Sequence, residues 1–209
     1  MKPEALIFDI DGTLWDSRAL VAEGYNLQLR DENLSHLQIT ADTLTPLFGK
    51  MMWEIGEALF ARVPKEERYP LLERCMAREN QHLAQSECNI GYPGIAQVLE
   101  ALATKYRLFI VSNCQKGYPE LCMEKLKIGS LIEGHLCHGD TGTAKGETIR
   151  ALMEMHRISS AVYIGDTQGD CTAAADAGIP FVWASYGLGQ PESWDARADS
   201  PQDLLKIFM

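Results

Sequence analysis

Two acidic residues follow an apolar run near the start of the sequence, Leu6-Ile7-Phe8-Asp9-Ile10-Asp11-Gly12-Thr13. The pattern predicts a buried strand that delivers carboxylates to a loop. Because side chains alternate along a strand, Asp9 and Asp11 are expected to point to the same side. Two such carboxylates coexist at neutral pH only if they share a proton or a cation neutralises them. They suit a reaction in which one carboxylate attacks and the other moves a proton, although an Asp-rich turn would give the same octapeptide.

More polar residues lie where later strands of the chain are expected to end. Ser112 and Asn113 end one strand, Asp166 ends another with Asp170 one turn beyond it, and Lys145 begins a helix at the same edge. Ligands of an open parallel sheet bind outside the carboxyl ends of its strands. Each residue alone could be a helix cap, a turn residue or a solvated charge. Their joint occurrence at successive strand ends is not expected by chance.

The charge of this set predicts what it binds. Four carboxylates against one lysine leave an excess of negative charge, which a divalent cation would offset. Oxygen ligands with no histidine or thiol among them favour Mg²⁺ over zinc. A phosphate would then be attracted by the metal, by Lys145, by the Ser112 hydroxyl and by the backbone N–H groups of Gly12, Thr13 and Asn113.

The elements that position these residues fall into two groups. Residues 16–88 show only helical patterns: 16–34, Thr40 to Leu44, Met51 to Val63 and Lys65 to Leu83. After residue 90, short strands alternate with helices, which predicts a parallel sheet covered on both faces. The expected strands are 107–112, 131–137, 161–164 and 181–184, and the expected helices are 95–105, a segment ending near 127, 145–156, 169–177 and 201–208, with a loop at 139–142. We therefore predict a Rossmann-like, doubly wound α/β core, residues 1–15 and 89–209, with an inserted helical cap domain, residues 16–88.

The bulk composition excludes several classes of function. The 209-residue chain has a formal net charge of -10 and no cluster of basic residues, which disfavours binding to nucleic acid or to an anionic membrane. No apolar run is long enough to span a bilayer, and the N-terminus shows no cleavage signal, so a cytoplasmic protein is expected. The six cysteines fit no metal-ligand spacing and are expected to be free thiols.

The order of these motifs resembles the haloacid dehalogenase-like superfamily of phosphohydrolases over essentially the whole chain. The motifs that carry the resemblance are Asp9-Ile10-Asp11-Gly12-Thr13, then Ser112, then Lys145, then Gly165-Asp166-Thr167-Gln168-Gly169-Asp170. The overall pattern is most similar to the phosphoglycolate phosphatase-like branch with a small helical cap. One departure is Gly146, where relatives often carry proline.

The resemblance implies a role for each matching residue. Asp9 would be the nucleophile that forms an aspartyl-phosphate, and Asp11 would protonate the leaving alkoxide and then activate water. Asp9, the carbonyl of Asp11 and Asp166 would hold Mg²⁺, with Asp170 acting directly or through water. Ser112, with the backbone of Asn113, would bind phosphate oxygens, and Lys145 would neutralise phosphate and nucleophile. An acid at position 11 favours a phosphomonoesterase or a phosphomutase over a dehalogenase or a phosphonatase.

The helical insert is similar to the caps of this superfamily. Within this insert, Lys50 is the best candidate to contact a second anionic group of the substrate; the alternative is that Lys50 is an ordinary surface lysine. The leading prediction is a Mg²⁺-dependent phosphatase of a small phosphate ester, either phosphoglycolate-like or a sugar phosphate, working as a monomer or homodimer. A sugar phosphomutase shares the site and differs in returning the phosphoryl group to the substrate. A signalling receiver module, which also has aspartates and a lysine at strand ends, is disfavoured by the 70-odd-residue insert and the fourth motif.

Overall fold

A computed structural model describes residues 3–209 of the chain. The chain forms two compact units. The first comprises the residues up to Asp16 together with Asn89–Met209, and the second is Ser17–Cys88. The functional division into a core and a cap stays a prediction.

The first unit contains a six-stranded, fully parallel sheet in the order β3-β2-β1-β4-β5-β6. Its strands are β1 (Ala5–Phe8), β2 (Arg107–Ser112), β3 (Ile132–Cys137), β4 (Ala161–Gly165), β5 (Phe181–Ala184) and β6 (Ala196–Ala198). β1 lies in the middle, where Ala5 pairs with Arg107 on one side and with Ala161 on the other. Every residue of β1 is buried, as its uninterrupted apolar sequence predicts.

The other regular elements of both units are helices. In the second unit they are α1 (Arg18–Asp31), α2 (Ala41–Leu44), α3 (Met52–Leu59) and α4 (Lys65–Gln85), with 3₁₀ turns at Ser35–Leu37 and Thr45–Leu47. In the first unit they are α5 (Ile95–Ala103), α6 (Tyr118–Leu126), α7 (His138–Thr141), α8 (Lys145–Met155), α9 (Gln168–Ala177) and α10 (Asp203–Phe208), with a 3₁₀ turn at Gly129–Leu131. No helix within residues 3–209 has the length and apolarity needed to cross a membrane.

The core of the first unit forms where the sheet meets its helices. Ile7 and Phe109 from the sheet pack in one buried cluster with Ile149 and Leu152 of α8 and Ala174 of α9. The α/β, Rossmann-like fold predicted from the alternation of strands and helices is confirmed. The helical pattern predicted for residues 16–88 is confirmed by the helices between Arg18 and Gln85. The predicted Thr40 cap of α2 is confirmed as well, since its hydroxyl accepts the N–H of Thr43 at 3.2 Å.

The structure adds to or corrects the sequence prediction at three places: one predicted loop is wrong, one strand was not predicted, and one helix had no predicted start. The predicted loop at 139–142 begins as one helical turn, His138–Thr141, because the Asp140 carboxylate accepts the backbone N–H of Cys137 and closes that turn. β6 was missed because three residues, one of them a charged Arg197, carry no alternating pattern. The helix after β2 begins only at Tyr118, since Gly117 adopts a left-handed conformation with φ of 85° and ends the intervening loop.

Candidate active site

Asp9 and Asp11 lie in a tight turn directly after β1. The N–H of Asp9 donates to the carbonyl of Ile164 at 2.9 Å, so Asp9 still lies beside β4. The carbonyl of Ile10 then accepts the N–H of Thr13 at 3.2 Å, which reverses the chain. As a result Asp9 is buried, whereas Asp11 is half-buried.

Lys145, the first residue of α8, forms a buried ion-pair group with two aspartates. Its Nζ lies 2.7 Å from Oδ1 of Asp170 and 3.2 Å from Oδ1 of Asp9. All three side chains are at most 4% exposed. Burial alone would lower the pKa of Lys145, but the two carboxylates raise it above its ordinary value. The lysine is therefore a fixed positive charge beside Asp9.

The side chain of Asp170 organises the loop between β4 and α9. Its Oδ2 accepts the backbone N–H of Asp166 at 3.1 Å, the N–H of Thr167 at 2.9 Å and the Thr167 hydroxyl at 2.8 Å. Because its Oδ1 pairs with Lys145, both carboxylate oxygens of Asp170 are engaged within the protein. Asp170 thus orients Asp166 and Lys145.

Asp166 is enclosed by backbone from two other loops. Its Oδ2 accepts the N–H groups of Leu188 at 2.7 Å and Gly189 at 3.1 Å. A Cβ at Gly12, which has φ of 79°, would lie 2.2 Å from the same oxygen, and a Cβ at Gly187 would lie 2.2 Å from the carbonyl of Gly12. Only glycine allows both loops to approach the carboxylate so closely.

The phosphate-binding candidates lie around Asp9. Ser112 ends β2 and is 5% exposed, and its side chain lies close enough to Asp9 to lower the pKa of that carboxyl group. Asn113 follows it directly and is partly buried. The Thr13 hydroxyl is fully buried and has no hydrogen-bond partner in the part of the chain that the structure describes. The Thr13 carbonyl accepts the Tyr186 hydroxyl at 3.0 Å. The structure therefore brings the predicted residues of the first unit to one edge of the sheet.

The aspartates fit a hard divalent cation. One oxygen from each of Asp9, Asp166 and Asp170 lies within 4.8 Å of the others. Among residues 3–209, no donor hydrogen-bonds to the buried Oδ1 of Asp166, and Oδ1 of Asp9 has its ion pair with Lys145 and no hydrogen bond. Burial raises the pKa of Asp9 to about 7 and raises the pKa of Asp166 well above its ordinary value. Buried oxygens of this kind are stabilised when a cation replaces the missing hydrogen-bond donors.

Sequence reasoning missed the partners of Asp11. Its Oδ1 accepts the indole N–H of Trp15 at 2.8 Å and the phenol hydroxyl of Tyr118 at 2.9 Å. It also missed the loop at 186–189, which supplies the donors to Asp166. Tyr118 is 107 residues from Asp11 in sequence, and backbone donors have no residue signature, so no pattern pointed to either contact.

The remaining sequence predictions concern Gly146 and Lys50. A Cβ at residue 146 would lie 2.8 Å from Cβ of Asp176, so the close contact between α8 and α9 explains why proline is absent there. Lys50 is exposed in the second unit, in the turn before α3, and its N–H donates to the Leu47 carbonyl at 3.1 Å. Its contact with a substrate stays a prediction.

The family model described as "Haloacid dehalogenase-like hydrolase" matches residues 6–184 of the chain. The chain belongs to this family. The haloacid dehalogenase-like assignment accounts for the order of the motifs and for the parallel sheet that carries them. Phosphatases of this family generally use a divalent metal, which agrees with the buried aspartate cluster.

The relatives of this haloacid dehalogenase-like chain extend over its full length. A phosphoglycolate phosphatase of Xanthomonas campestris is 30% identical, covering 97% of this chain and 95% of that protein. One from Colwellia psychrerythraea is 29% identical, covering 99% of this chain and 94% of that protein. The crystal structure of a predicted phosphoglycolate phosphatase from Haemophilus somnus superposes with a TM-score of 0.87 at 22% identity, covering 100% and 99% of the two chains, which shows the shared fold. The predicted enzyme class, a phosphatase of this hydrolase family, is confirmed.

Proposed function

We propose that the chain is a Mg²⁺-dependent phosphomonoesterase that hydrolyses a small phosphorylated metabolite through an aspartyl-phosphate. The observation that carries the proposal is the buried group of Asp9, Lys145, Asp166 and Asp170, in which Lys145 Nζ lies 3.2 Å from Asp9 and 2.7 Å from Asp170. It provides a carboxylate nucleophile beside a fixed cation and beside oxygen atoms suited to a metal. The names of the relatives make 2-phosphoglycolate the first substrate to test.

In the first step, an oxygen of Asp9 attacks the phosphorus atom while the bond from phosphorus to the alkoxide oxygen breaks. Asp11 gives its proton to that oxygen, so an alcohol leaves and Asp9 carries the phosphoryl group. In the second step, Asp11 takes a proton from water, the water oxygen attacks phosphorus, and the bond to Asp9 breaks. The products are inorganic phosphate and free Asp9, with Asp11 protonated again for the next cycle.

The transferring phosphoryl group must be held by donors that are already oriented. Lys145 supplies a buried positive charge 3.2 Å from Asp9, so it opposes the negative charge that develops between nucleophile and phosphate. The Ser112 hydroxyl and the backbone N–H group of Asn113 are proposed to bind phosphate oxygens. The N–H groups of Gly12 and Thr13, which the sequence predicted as further donors, already donate to the carbonyls of Trp15 at 2.9 Å and Ile10 at 3.2 Å, so they are not assigned to the phosphate.

The metal would be held by Asp9, the carbonyl of Asp11 and Asp166. A bound Mg²⁺ would neutralise these carboxylates and draw phosphate oxygens toward Asp9. Asp170 is proposed to contact the metal through a water molecule and not directly, because its oxygens already bind Lys145 and the backbone of the β4–α9 loop.

The test is phosphate release from a panel of small phosphomonoesters that includes 2-phosphoglycolate and a sugar phosphate, with Mg²⁺ or with EDTA. We expect Mg²⁺-dependent release by the wild type and none by Asp9→Asn. Asp203→Asn, a change in an exposed ion pair, is the matched control and should act like the wild type. Release by Asp9→Asn at the wild-type rate would contradict the nucleophile. Failure of the folded wild type on every ester would contradict the phosphatase proposal, and turnover that requires a bisphosphate activator would favour a mutase.

A further inference from the structure

The carboxylate of Asp11 has two side-chain donors on the same oxygen atom. The indole N–H of Trp15 lies 2.8 Å from Oδ1, and the hydroxyl of Tyr118 lies 2.9 Å from it. An indole N–H can only donate, so at least one lone pair of Oδ1 is occupied in any protonation state of the carboxyl group. We call Trp15 and Tyr118 together the Asp11 clamp.

The two members of the clamp come from rigid parts of the first unit. Trp15 closes the turn after β1, where its carbonyl accepts the N–H of Gly12 at 2.9 Å. Tyr118 is the first residue of α6 and follows Gly117, whose left-handed conformation begins the helix at that point. Both aromatic side chains are at most 2% exposed.

The rings of the clamp also support each other. They meet edge to face, with centroids 5.4 Å apart and planes at 81°. Such a contact restricts both rings, and buried aromatic side chains in well-packed surroundings have few alternative rotamers. The donor atoms are therefore held at fixed positions, although Asp11 itself is half-buried.

We propose that Trp15 and Tyr118 are positioning residues: their two hydrogen bonds to Oδ1 hold the Asp11 carboxyl group in the orientation in which it exchanges its proton with the leaving group and with water. The inference rests on the proposed function, in which Asp11 is the acid and then the base. Two donors on one oxygen atom restrict rotation of the carboxyl group about its bond to Cβ. Proton transfer requires the carboxyl group to lie within hydrogen-bond reach of the alkoxide oxygen, which a freely rotating group satisfies only part of the time.

A purely structural role is the competing explanation, because a buried indole N–H and a buried hydroxyl need acceptors in any case. The two explanations differ in which substrates respond. A nitrophenolate departs as the anion and needs no proton, whereas an alkoxide must be protonated as it departs. If the Asp11 clamp positions the acid, loss of the clamp slows the hydrolysis of alkyl phosphates and leaves the hydrolysis of nitrophenyl phosphate unchanged. If it only supports the fold, both esters slow alike.

The experiment measures kcat/KM with p-nitrophenyl phosphate and with the alkyl phosphate that the wild type hydrolyses best. The value of kcat/KM reports the steps up to and including departure of the leaving group. It does not include the later hydrolysis of the aspartyl-phosphate, a step that is the same for both esters. The variants are Tyr118→Phe, Trp15→Phe, the double variant, and Asp11→Asn as the reference. Tyr106→Phe, which loses a hydrogen bond to the Phe208 carbonyl, and Trp194→Phe, at a side chain that is 43% exposed, are matched controls outside the motifs.

We expect each single variant to lower kcat/KM for the alkyl ester about tenfold and the double variant about 100-fold, toward Asp11→Asn. Nitrophenyl phosphate should stay within about twofold of the wild type, as should both esters with the control variants. Equal losses for the two esters, or no loss for either, would overturn the clamp. Tyr118→Phe removes one oxygen atom, so it tests the inference even if Trp15→Phe does not fold. Inactivity of the wild type, or activity of Asp9→Asn, would instead refute the proposed function.

Discussion

Lys145→Met removes the positive charge from the buried ion-pair group without opening a large cavity. The side chains of Lys145, Asp9 and Asp170 are at most 4% exposed, so solvent does not replace the lost charge. Removing one member of a buried ion pair costs about 3–5 kcal/mol in the free energy of unfolding, because the remaining charge is left uncompensated. For a chain of this size that corresponds to a fall in Tm of roughly 6–20 °C.

The assay is thermal unfolding in EDTA and again in excess Mg²⁺. A cation that binds the aspartates compensates part of the missing charge, so Mg²⁺ should raise the Tm of Lys145→Met more than that of the wild type. Lys206→Met is the control, since Lys206 forms an exposed pair with Asp203 and its loss should leave the Tm unchanged. An unchanged Tm for Lys145→Met in EDTA, or equal effects of Mg²⁺ on both proteins, would refute the reasoning.

Three further outcomes are expected. Gly187→Ala would place a Cβ 2.2 Å from the Gly12 carbonyl, so it should cost about 1–3 kcal/mol in the free energy of unfolding and weaken Mg²⁺ binding in a calorimetric titration. Gly129→Ala is the control: its Cβ would have its nearest neighbour at 4.0 Å, so neither quantity should change. In the metal-free protein the pKa of Asp9 is raised from 3.8 to about 7, so between these pH values the folded state binds a proton that the unfolded state has lost. The free energy of unfolding should therefore fall as the pH rises from about 4 to 7. Asp9→Asn should lack this part of the decrease in unfolding curves measured over a pH series. Lys50→Ala should raise the KM for 2-phosphoglycolate and leave that for p-nitrophenyl phosphate unchanged; equal KM changes would count against a contact with a second anionic group.

The fold was predictable where local signals and burial agree. The apolar run before Asp9 has the composition of a central parallel strand, and all of β1 is buried. Ser112 and Asp166 were predicted near the site because the carboxyl ends of parallel strands share one edge of a sheet. Lys145 was placed there by the order of the motifs, and the ion pair with Asp9 accounts for its burial.

The rest depends on contacts between distant segments, which leave no local pattern. Tyr118 reads as an ordinary apolar position at a helix start, and only the folded chain shows its hydroxyl beside Asp11. The donors to Asp166 are backbone N–H groups of Leu188 and Gly189, which any sequence could supply. The short strand β6 is defined by pairing with β5 rather than by its own composition.

The central position of β1 also has a consequence for how the chain folds as it is synthesised. β1 is synthesised before its partners β2 and β4, which begin about 100 and 156 residues later, at Arg107 and Ala161. The helical unit Ser17–Cys88 lies between β1 and β2 in the sequence. It has contacts among its own segments, such as those of α1 with α4, and can form before the sheet exists. Completion of the sheet must wait for a loop closure across most of the chain, which makes this step slow and leaves an apolar strand waiting for its neighbours. The nascent chain is therefore most exposed to misassociation through the very segment that later carries Asp9.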